Sequence, residues 1–333
     1  MFLVIIVRSE FACYSKKNNN YLRRNQLPLK KITFIVNGKI RKMKVLRESF
    51  IECFRSEFQV EIRKSTLENS FQELTTNAIN KGVDYLILVG GDGSINEGVN
   101  GYFDANSELR EKVILGVYPA GSGNDFPKSL GVRDNLEQLL FLVKNDSFKK
   151  IDVGLMYFNK VDDKSGKRYF INIADIGIGG YVANKIAESK KRLGGKFTYT
   201  KALIQAFFTY KKQRVQLTSK DYNWTGKMLS ICMANGKYFG SGMCIAPDAK
   251  LSDGKMQLVV IGEVSLYDYL KNIPKIKKGH KVIHKEIEYS FAEKCELTAI
   301  DNPCPIDMDG EYVGTTPLKI EVLSNQLKML LVD

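Results

Sequence analysis

The chain has 333 residues, of which 44% are hydrophobic and 26% charged, and its formal net charge is +13. This composition excludes an intrinsically disordered protein, and the length exceeds that of one ordinary core, so we predict two domains. The positive charge favours an anionic partner, which can be nucleic acid, a lipid surface or a phosphorylated ligand. Scattered cysteines and only two histidines, His280 and His284, argue against a thiol or imidazole metal site and favour a reducing compartment.

The first thirty residues are set apart from the rest. Residues 1–7 (MFLVIIV) are apolar, and a polar stretch rich in lysine, arginine and asparagine follows them. We expect residues 1–30 to be a poorly defined N-terminal extension. No apolar run approaches the ~18 residues that a membrane-spanning helix needs.

Residues 31–150 alternate between strand and helix patterns. Short β-branched runs predict buried strands, and longer amphipathic stretches between them predict helices, one with Val45, Phe50, Ile51 and Phe54 on its apolar face. This alternation predicts an α/β domain with a parallel sheet covered on both faces. The predicted strands are 31–37, 59–65, 83–89 and 113–119; the predicted helices are 43–58, 66–82 with Ser65 or Thr66 as N-cap, one from residue 95, and 135–145.

The pattern changes after residue 150. Strands separated by turn signals follow one another, with a single long helical stretch at 196–212. This order predicts an all-β antiparallel sandwich or barrel over residues 151–315, a cleft between the two domains, and a C-terminal segment 316–333 that returns to the first domain. The predicted strands are 149–158, 168–179, 214–222, 227–236, 255–263, 284–292 and 295–300.

Residues 90–101 (GGDGSINEGVNG) directly follow a predicted buried strand. Glycines between a strand and a helix let a phosphate approach the backbone N–H groups, and the helix N-terminus adds a favourable dipole. An ordinary βα turn explains the same residues equally well. The order of the glycines fits neither the Walker A loop nor the GxGxxG dinucleotide motif.

A second glycine-rich turn, YPAGSGNDF at residues 118–126, also follows a strand. Turns after parallel strands face one crevice at the carboxyl edge of the sheet, so two such turns favour a phosphate-binding cleft. Asp92 and Asp125, one in each turn, are placed to hold Mg²⁺ on a nucleotide, directly or through water.

These two motifs, followed by MANGKYFGSGMCIAPDAKLSDGKMQL (233–258) and MDGE (308–311), resemble the diacylglycerol kinase catalytic family. The resemblance is to its soluble bacterial form, related to sphingosine kinases, and covers nearly the whole chain from Lys31. It implies an NAD-kinase-like or phosphofructokinase-like α/β domain, a β-sandwich domain, ATP and Mg²⁺ as cofactors, and transfer of a phosphoryl group to a lipid hydroxyl.

The resemblance also implies roles for individual residues. Glu311 corresponds to the proton acceptor and, with Asp92 and Asp125, forms the expected catalytic set. A structural Mg²⁺ would be bound by Asp253 and the carbonyls of Lys250 and Lys255. The family's usual Asn-Pro-x-Ser-Gly sequence in the first loop is replaced here by residues 37–41, which keep only the asparagine. Residues implied to contact the nucleotide are Asn37, Ser65, Gly90, Gly91, Asp92, Gly93, Ser94, Ile95, Asn96, Glu97, Gly121 and Ser122.

Two other interpretations stay open: another GGDG-type kinase such as an NAD kinase, and a degenerate member that binds lipid or nucleotide without catalysis. For the lipid kinase we expect no nucleic-acid partner, a cytoplasmic location and peripheral contact with an anionic membrane surface. The lysine-rich stretch 271–285 and the basic segments beside the aromatic helix fit such a surface. The oligomeric state is open, with a homodimer as one option.

Overall fold

The computed structural model describes residues 28–41, 43–160, 162, 164–188 and 196–332, with only the backbone described for 196–200. The predicted extension therefore lies outside the described residues, apart from its last three positions. Within the described ranges no helix is both long enough and apolar enough to span a membrane.

The first domain is an α/β layer structure around a parallel sheet with the strand order β2-β1-β3-β4. Its helices pack on the sheet and bury a single hydrophobic core. The elements are β1 (Lys30–Val36), α1 (Met43–Phe54), β2 (Phe58–Lys64), α2 (Phe71–Asn80), β3 (Tyr85–Gly90), α3 (Asp92–Asp104), α4 (Ser107–Arg110), β4 (Ile114–Pro119), α5 (Asp125–Ser129) and α6 (Leu136–Lys144).

The predicted apolar face of α1 is partly wrong. Phe50 and Phe54 are buried, and the Phe50 ring stacks on Phe34 of β1 with centroids 4.4 Å apart. Val45 is 62% exposed, because it lies one turn before this contact on the solvent side of the helix. Two aromatic rings that bury large areas are enough to fix the orientation of a three-turn helix.

Two helix starts also differ from the prediction. The N-cap of α2 is Ser70, whose side chain accepts the backbone N–H of Glu73 while the Glu73 carboxylate accepts the N–H of Ser70. This capping box satisfies two backbone N–H groups at the start of α2. Ser65 and Thr66, the predicted N-caps, instead accept the N–H groups of Gly38 and Asn69, which lie outside the helix. Helix α3 begins at Asp92, three residues before the predicted start, so most of the first glycine motif is helical.

The second domain consists of antiparallel strands, which pair in the order β14-β13-β10-β7-β16-β17, with β15, β8 and β9 and the pair β5–β6 attached through β17. Its strands enclose a separate core. The elements are β5 (Phe148–Asn159), β6 (Ser165–Phe170), β7 (Ile173–Gly177), α7 (Ile178–Glu188), α8 (Lys196–Thr209), β8 (Gln213–Ser219), β9 (Asn223–Met228), β10 (Ser230–Ala234), β11 (Tyr238–Phe239), β12 (Met243–Cys244), β13 (Met256–Ile261), α9 (Leu266–Lys277), β14 (Ile287–Ala292), β15 (Lys294–Ala299), β16 (Pro305–Met308) and β17 (Glu311–Leu330). The predicted fold class, an α/β domain followed by an antiparallel β sandwich, is confirmed.

The stretch 168–179, predicted as one strand, forms β6, β7 and the first turn of α7. Gly177 has a φ of 119°, which ends the strand, and helix α7 starts at the next residue. Helix α9 was not predicted, and it ends at Lys277, before the two histidines. The i, i+4 spacing of His280 and His284 in a lysine-rich stretch predicts surface residues, but His284 is half-buried, and its Nδ1 accepts the backbone N–H of Glu286 at 3.1 Å.

Strand β17 runs through both domains. It pairs antiparallel with β5 along most of its length, and Met329 near its end lies opposite Leu115 of β4 in parallel register. A bulge interrupts the ladder between Leu323 and Leu327, where the N–H of Asn325 donates to Asp152 Oδ1 at 2.8 Å. The chain thus crosses from the sandwich to the first sheet within one strand, and the boundary predicted after residue 315 falls inside it.

Candidate active site

The first three strands end together at the carboxyl edge of the parallel sheet. Asn37 Nδ2 donates to Ser94 Oγ at 2.6 Å, and the N–H of Gly38 donates to Ser65 Oγ at 3.0 Å. A Cβ on Gly38 would lie 2.2 Å from the carbonyl oxygen of Ser65, so this close approach requires glycine. The unusual first loop therefore still joins the ends of β1, β2 and β3.

The two glycine-rich turns touch each other. A Cβ on Gly121 would lie 2.4 Å from Gly91 Cα, and the N–H of Ala120 donates to the carbonyl of Gly90 at 2.8 Å. Asn124 adopts a left-handed φ of 54° and folds the second turn back, with its Oδ1 accepting the N–H of Gly121 at 3.0 Å. Only glycine allows two backbones to pack this closely, and the site is open to a ligand from the side of the cleft.

Asp92 and Asp125, predicted to act as a pair, lie side by side. The Asp92 carboxylate accepts the backbone N–H groups of Asp125 at 3.1 Å and Phe126 at 3.0 Å, which caps the first turn of α5. Burial raises the pKa of Asp92, and these two hydrogen bonds oppose the shift. Asp125 Oδ2 accepts the N–H of Ser241 at 2.8 Å and thereby links the second turn to the sandwich domain.

A cavity of about 200 Å³, lined mainly by polar residues and called the polar cavity below, lies between the domains at this point. Two of its lining groups are buried and have no hydrogen-bond partner among the described residues: Asp307 Oδ2 and Asn172 Oδ1. Unpaired buried oxygens are costly, so these atoms are available to a ligand or to water. The cavity is lined by Asp92, Ser122, Gly123, Asp125, Asn172, Phe239, Gly240, Ser241, Asp307, Asp309 and Gly310.

Sequence reasoning missed Asp307 and Asn172. Asp307 lies near the end of β16, and Asp309 follows the strand with a left-handed φ of 51°. The i, i+2 spacing of these two acids is the only signal for Asp307 that the sequence offers. Asn172 has no comparable signal, because its position depends on the register between β7 and its neighbours.

Glu311, the first residue of β17, contacts the first turn of α3. Its Oε1 is 3.1 Å from the position that a Cβ on Gly93 would occupy, and its Oε2 accepts Arg168 Nη2 at 2.6 Å. Arg168 also donates from Nε and Nη2 to Asn96 Oδ1, at 2.9 and 2.6 Å. Arg168 therefore orients both the carboxylate of Glu311 and the amide of Asn96, and the sequence analysis did not identify it.

Asp309 links helix α3 of the first domain to the backbone at residues 171–173 of the second. Its buried carboxylate accepts the N–H groups of Ile171, Asn172 and Ile173 at 2.9 to 3.0 Å, and Asn96 Nδ2 at 2.8 Å. Burial raises the pKa of Asp309 to about 6 in spite of these donors. Because its lone pairs are taken by protein groups, Asp309 is a structural residue in this arrangement.

Within the first glycine motif, some predicted contact residues point away from the cleft. Ile95 is fully buried in the first core, and the amide of Asn96 is used by Arg168 and Asp309, so only the backbone of these residues can reach a nucleotide. Glu97 is half-buried, and its pKa is raised by burial first and by Glu311 second. Ser122 is exposed and faces the polar cavity.

The predicted metal site lies in the turn between Lys250 and Lys255, away from this cavity. Asp253 is exposed, and its Oδ1 accepts the N–H of Lys255 at 3.2 Å. Asp152 lies nearby and accepts the N–H of Gly254 at 2.7 Å; its pKa is raised by burial, and the charge of Asp253 contributes. Two neighbouring carboxylates and turn carbonyls are hard oxygen donors, which fits Mg²⁺ or Ca²⁺.

A second cavity of about 100 Å³ lies within the sandwich domain and is mostly apolar. Phe239 contributes to the walls of both cavities, so the two are neighbours. The lining residues are Asp175, Ile178, Leu203, Phe207, Leu229, Ser230, Cys232, Phe239, Met243, Ile245, Ile261, Val264, Asp268, Tyr269, Asn272, Ile276, Val282, His284 and Ile287.

One carboxyl group is buried in the wall of this apolar cavity. Asp175 accepts a short hydrogen bond from Ser230 Oγ and lies opposite Asp307 across the β7–β16 pair. Burial raises the pKa of Asp175 to about 6. It also raises the pKa of Asp307, to which the charge of Asp175 adds.

A glycine-lined cleft between an α/β domain and an antiparallel sandwich defines a two-domain kinase of the GGDG class. Residues 31–156 match the diacylglycerol kinase catalytic domain, and residues 174–331 match the YegS C-terminal NAD kinase beta sandwich-like domain. The chain therefore belongs to the diacylglycerol kinase catalytic family and carries the YegS type of second domain.

Individual relatives agree with this assignment. A protein of Shewanella frigidimarina named "Probable lipid kinase YegS-like" is 27% identical over 308 residues, which cover 92% of this chain and 95% of that protein. A crystal structure of a diacylglycerol kinase from Bacillus anthracis superposes with a TM-score of 0.67 at 20% identity, over 92% of this chain and 98% of that chain. At this identity the superposition supports the fold alone.

We predict that Asp175→Asn stabilises the protein more at pH 7 than at pH 4. Because the pKa of Asp175 is raised in the folded protein, protonation of this carboxyl group stabilises the fold. This contribution is complete below pH 3.8, the ordinary carboxyl pKa, and is lost as the pH rises through about 6. Asparagine can still accept from Ser230 but carries no charge. The shift corresponds to about 3 kcal/mol. Urea unfolding from pH 4 to pH 8 measures the difference, with Asp221→Asn at an exposed turn as control; a pH-independent difference would contradict the prediction.

Proposed function

We propose that the protein is an ATP-dependent lipid kinase that transfers the γ-phosphoryl group of ATP to a hydroxyl of diacylglycerol or a related lipid. The observation that carries this proposal is the shared wall at Phe239, on whose two sides lie a glycine-lined polar cavity and an apolar cavity. A phosphate donor and a hydrocarbon acceptor need these two environments next to each other. A kinase with a purely polar acceptor would not need the apolar cavity.

The nucleotide site would be built from the backbone of the two glycine turns. The N-terminus of α3 has no side-chain cap, and Gly91 and Gly121 let the two turns pack together beside it, so backbone N–H groups of this helix start would bind phosphate oxygens. Among the described residues no three acidic, histidine or cysteine side chains converge on a metal position. This fits Mg²⁺, which usually takes one or two carboxylates, here Asp92 and Asp125, together with phosphate oxygens and water. When bound, Mg²⁺ neutralises the charge that develops on the transferred phosphoryl group.

Glu311 would accept the proton of the lipid hydroxyl. Arg168 holds Oε2, and no described donor contacts Oε1, which faces Gly93 at the first glycine turn. A carboxylate with one oxygen anchored and the other free is oriented for proton transfer. Asp309, the other acidic residue of the MDGE motif, has its lone pairs occupied by backbone N–H groups and Asn96 and is less suited to this role.

The acyl part of the acceptor would enter the apolar cavity. Most of its wall is hydrophobic, with Leu203 and Phe207 from α8 and Ile276 from α9 among the side chains. Polar residues such as Ser230 and Asn272 form a small part of it. Hydrocarbon gains about 0.8 kcal/mol for each CH₂ group transferred from water, so even part of one chain binds favourably.

The direct test is phosphorylation of a panel of acceptors with labelled ATP: diacylglycerol, monoacylglycerol, phosphatidylglycerol, a sphingoid base, glycerol and NAD. We expect turnover of at least one long-chain lipid and none of glycerol. Phosphorylation of NAD alone would replace the proposal by an NAD kinase. Binding of ATP or lipid without any turnover would identify a non-catalytic member of the family.

Replacement of Glu311 by glutamine separates catalysis from binding. Gln keeps the shape and the contact to Arg168 but lacks the proton-accepting charge, so kcat should fall by about 10²–10⁴-fold with little change in KM. Asp92→Asn should weaken ATP binding as well, because Asp92 also supports the second glycine turn. Glu293→Gln, at an exposed turn between β14 and β15, is the control. Unchanged turnover of the Glu311 variant would exclude it as the base.

Chelation tests the turn at residues 250–255. If Asp253 binds a structural Mg²⁺, EDTA should lower the Tm of the protein, and Asp253→Asn should remove this sensitivity. The effect follows ligand linkage, about 3 kcal/mol for a metal at 100 times its Kd. Asp221→Asn should keep the response to EDTA. Calorimetry without ATP makes the measurement independent of the catalytic metal, and equal EDTA effects in both variants and the unmodified protein would contradict the assignment.

A further inference from the structure

Helix α8, helix α9 and the segment 278–284 together cover the apolar cavity, and we call them the cavity cover. Leu203 and Phe207 of α8 and Tyr269 and Ile276 of α9 line the cavity, and the rings of Phe207 and Tyr269 lie 5.3 Å apart. Val282 adds a contact from the segment after α9. The inner side of the cover is thus fixed by its contact with the cavity, and its outer side faces solvent.

The outer side is also apolar. Phe208 is 75% exposed, Tyr267 71% and Ile283 95%, and Ile204 and Leu270 are exposed as well. Each of these residues lies within two positions of a cavity-lining residue on the same element. A helix that covers a core normally has a polar outer face, so apolar residues on both sides mark a surface that another apolar phase covers.

Lysines share this outer surface. On α9 the exposed residues Tyr267, Lys271, Lys275 and Lys278 recur at intervals of four, four and three and form one stripe along the helix and its C-cap, with the exposed Leu270 beside Lys271. The ammonium of Lys271 lies 5.9 Å from the centre of the Tyr267 ring.

Most of this positive charge is not neutralised locally. Lys275, Lys277 and Lys278 form no ion pair with any described acidic residue, whereas Lys281 is paired with Asp248 at 2.5 Å. Exposed apolar side chains next to lysines without ion pairs are complementary to a lipid bilayer, which offers hydrocarbon inside and negative headgroups at its surface.

We propose that the cavity cover docks on an anionic lipid bilayer, with Phe208, Tyr267, Leu270 and Ile283 in the interface and the lysines at the headgroups. A lipid could then pass from the bilayer between α8 and α9 into the cavity without crossing water. The route of the lipid rests on the proposed function, but docking itself does not. A protein partner fits less well, because several lysines without ion pairs lie directly beside the apolar residues, and lysine is depleted from protein–protein interfaces.

Binding to vesicles without ATP tests the proposal. Phosphatidylcholine vesicles with and without phosphatidylglycerol are sedimented with the full chain, and we expect binding only to the anionic vesicles, decreasing with salt. The variant Lys275→Gln/Lys277→Gln/Lys278→Gln should bind roughly 100-fold more weakly, since each lysine contributes a factor of about 5. Tyr267→Ser/Leu270→Ser should also lose at least about tenfold through the removed apolar area.

Matched controls lie on the first domain. Lys44→Gln/Lys81→Gln/Lys112→Gln removes the same charge from exposed positions, and Val45→Ser/Phe141→Ser removes exposed apolar side chains. These variants should bind vesicles like the unmodified protein. Equal losses in the controls, binding to neutral vesicles alone, or no vesicle binding would each overturn the proposal.

Failure of docking and failure of the proposed function give different results. The cover variants contain no residue of the glycine turns and leave Glu311 intact, so their kinase activity on a lipid dispersed in detergent should be unchanged. Loss of that activity would mean that the substitutions damage the cavity, and would contradict a role limited to docking. Vesicle binding by a protein that phosphorylates no lipid would retain the docking surface and reject the kinase.

Discussion

The buried carboxylate of Asp309 fixes the relation between the two domains. It receives three consecutive backbone N–H groups at the start of β7 and the amide of Asn96 from helix α3 of the first domain. Since Glu311 follows two residues later, its distance from the first glycine turn is set by the same contacts. Through Asn96 the network extends to Arg168, which returns to Glu311. Loss of one of these hydrogen bonds would displace Glu311, the start of α3 and the wall of the cleft together.

Local chemistry made much of the fold and part of the site predictable. The alternation of buried strands with amphipathic helices gave the parallel sheet, and the glycine turns after β3 and β4 gave the position of the cleft, because both signals lie in short stretches of sequence. Arg168, Asn172 and Asp307 could not be found in this way. Their roles depend on pairings between strands that are far apart in sequence, such as Asp307 opposite Asp175. The cap of α2 and the exposure of Val45 were mispredicted for a related reason: several serines and apolar residues met the local rule, and tertiary packing selected among them.

The two cavities place a polar and an apolar environment beside each other. On one side of Phe239 the wall carries carboxylates and serines. On the other side it is mostly hydrocarbon, and burial raises the pKa of Asp175, one of its few polar residues, so that this carboxyl group is shifted toward its neutral form. A neutral carboxyl group can line an apolar wall at modest cost, whereas a charged one cannot. The boundary between the two environments is therefore one aromatic ring wide, which restricts any molecule that fills both to a compact polar group joined directly to its apolar part.

Strand β17 has a mechanical consequence. Leu318 and Ile320 belong to the core of the sandwich, Leu327 and Met329 belong to the core of the first domain, and β5 is shared between the cores in the same way. These two paired strands resist bending, because bending would break hydrogen bonds between them and expose apolar side chains in both cores. A wide hinge opening of the cleft is therefore disfavoured, and the softest deformation is a twist about the bulge at Asn325. The same two strands limit changes in the distance between the glycine turns and Glu311, the first residue of β17.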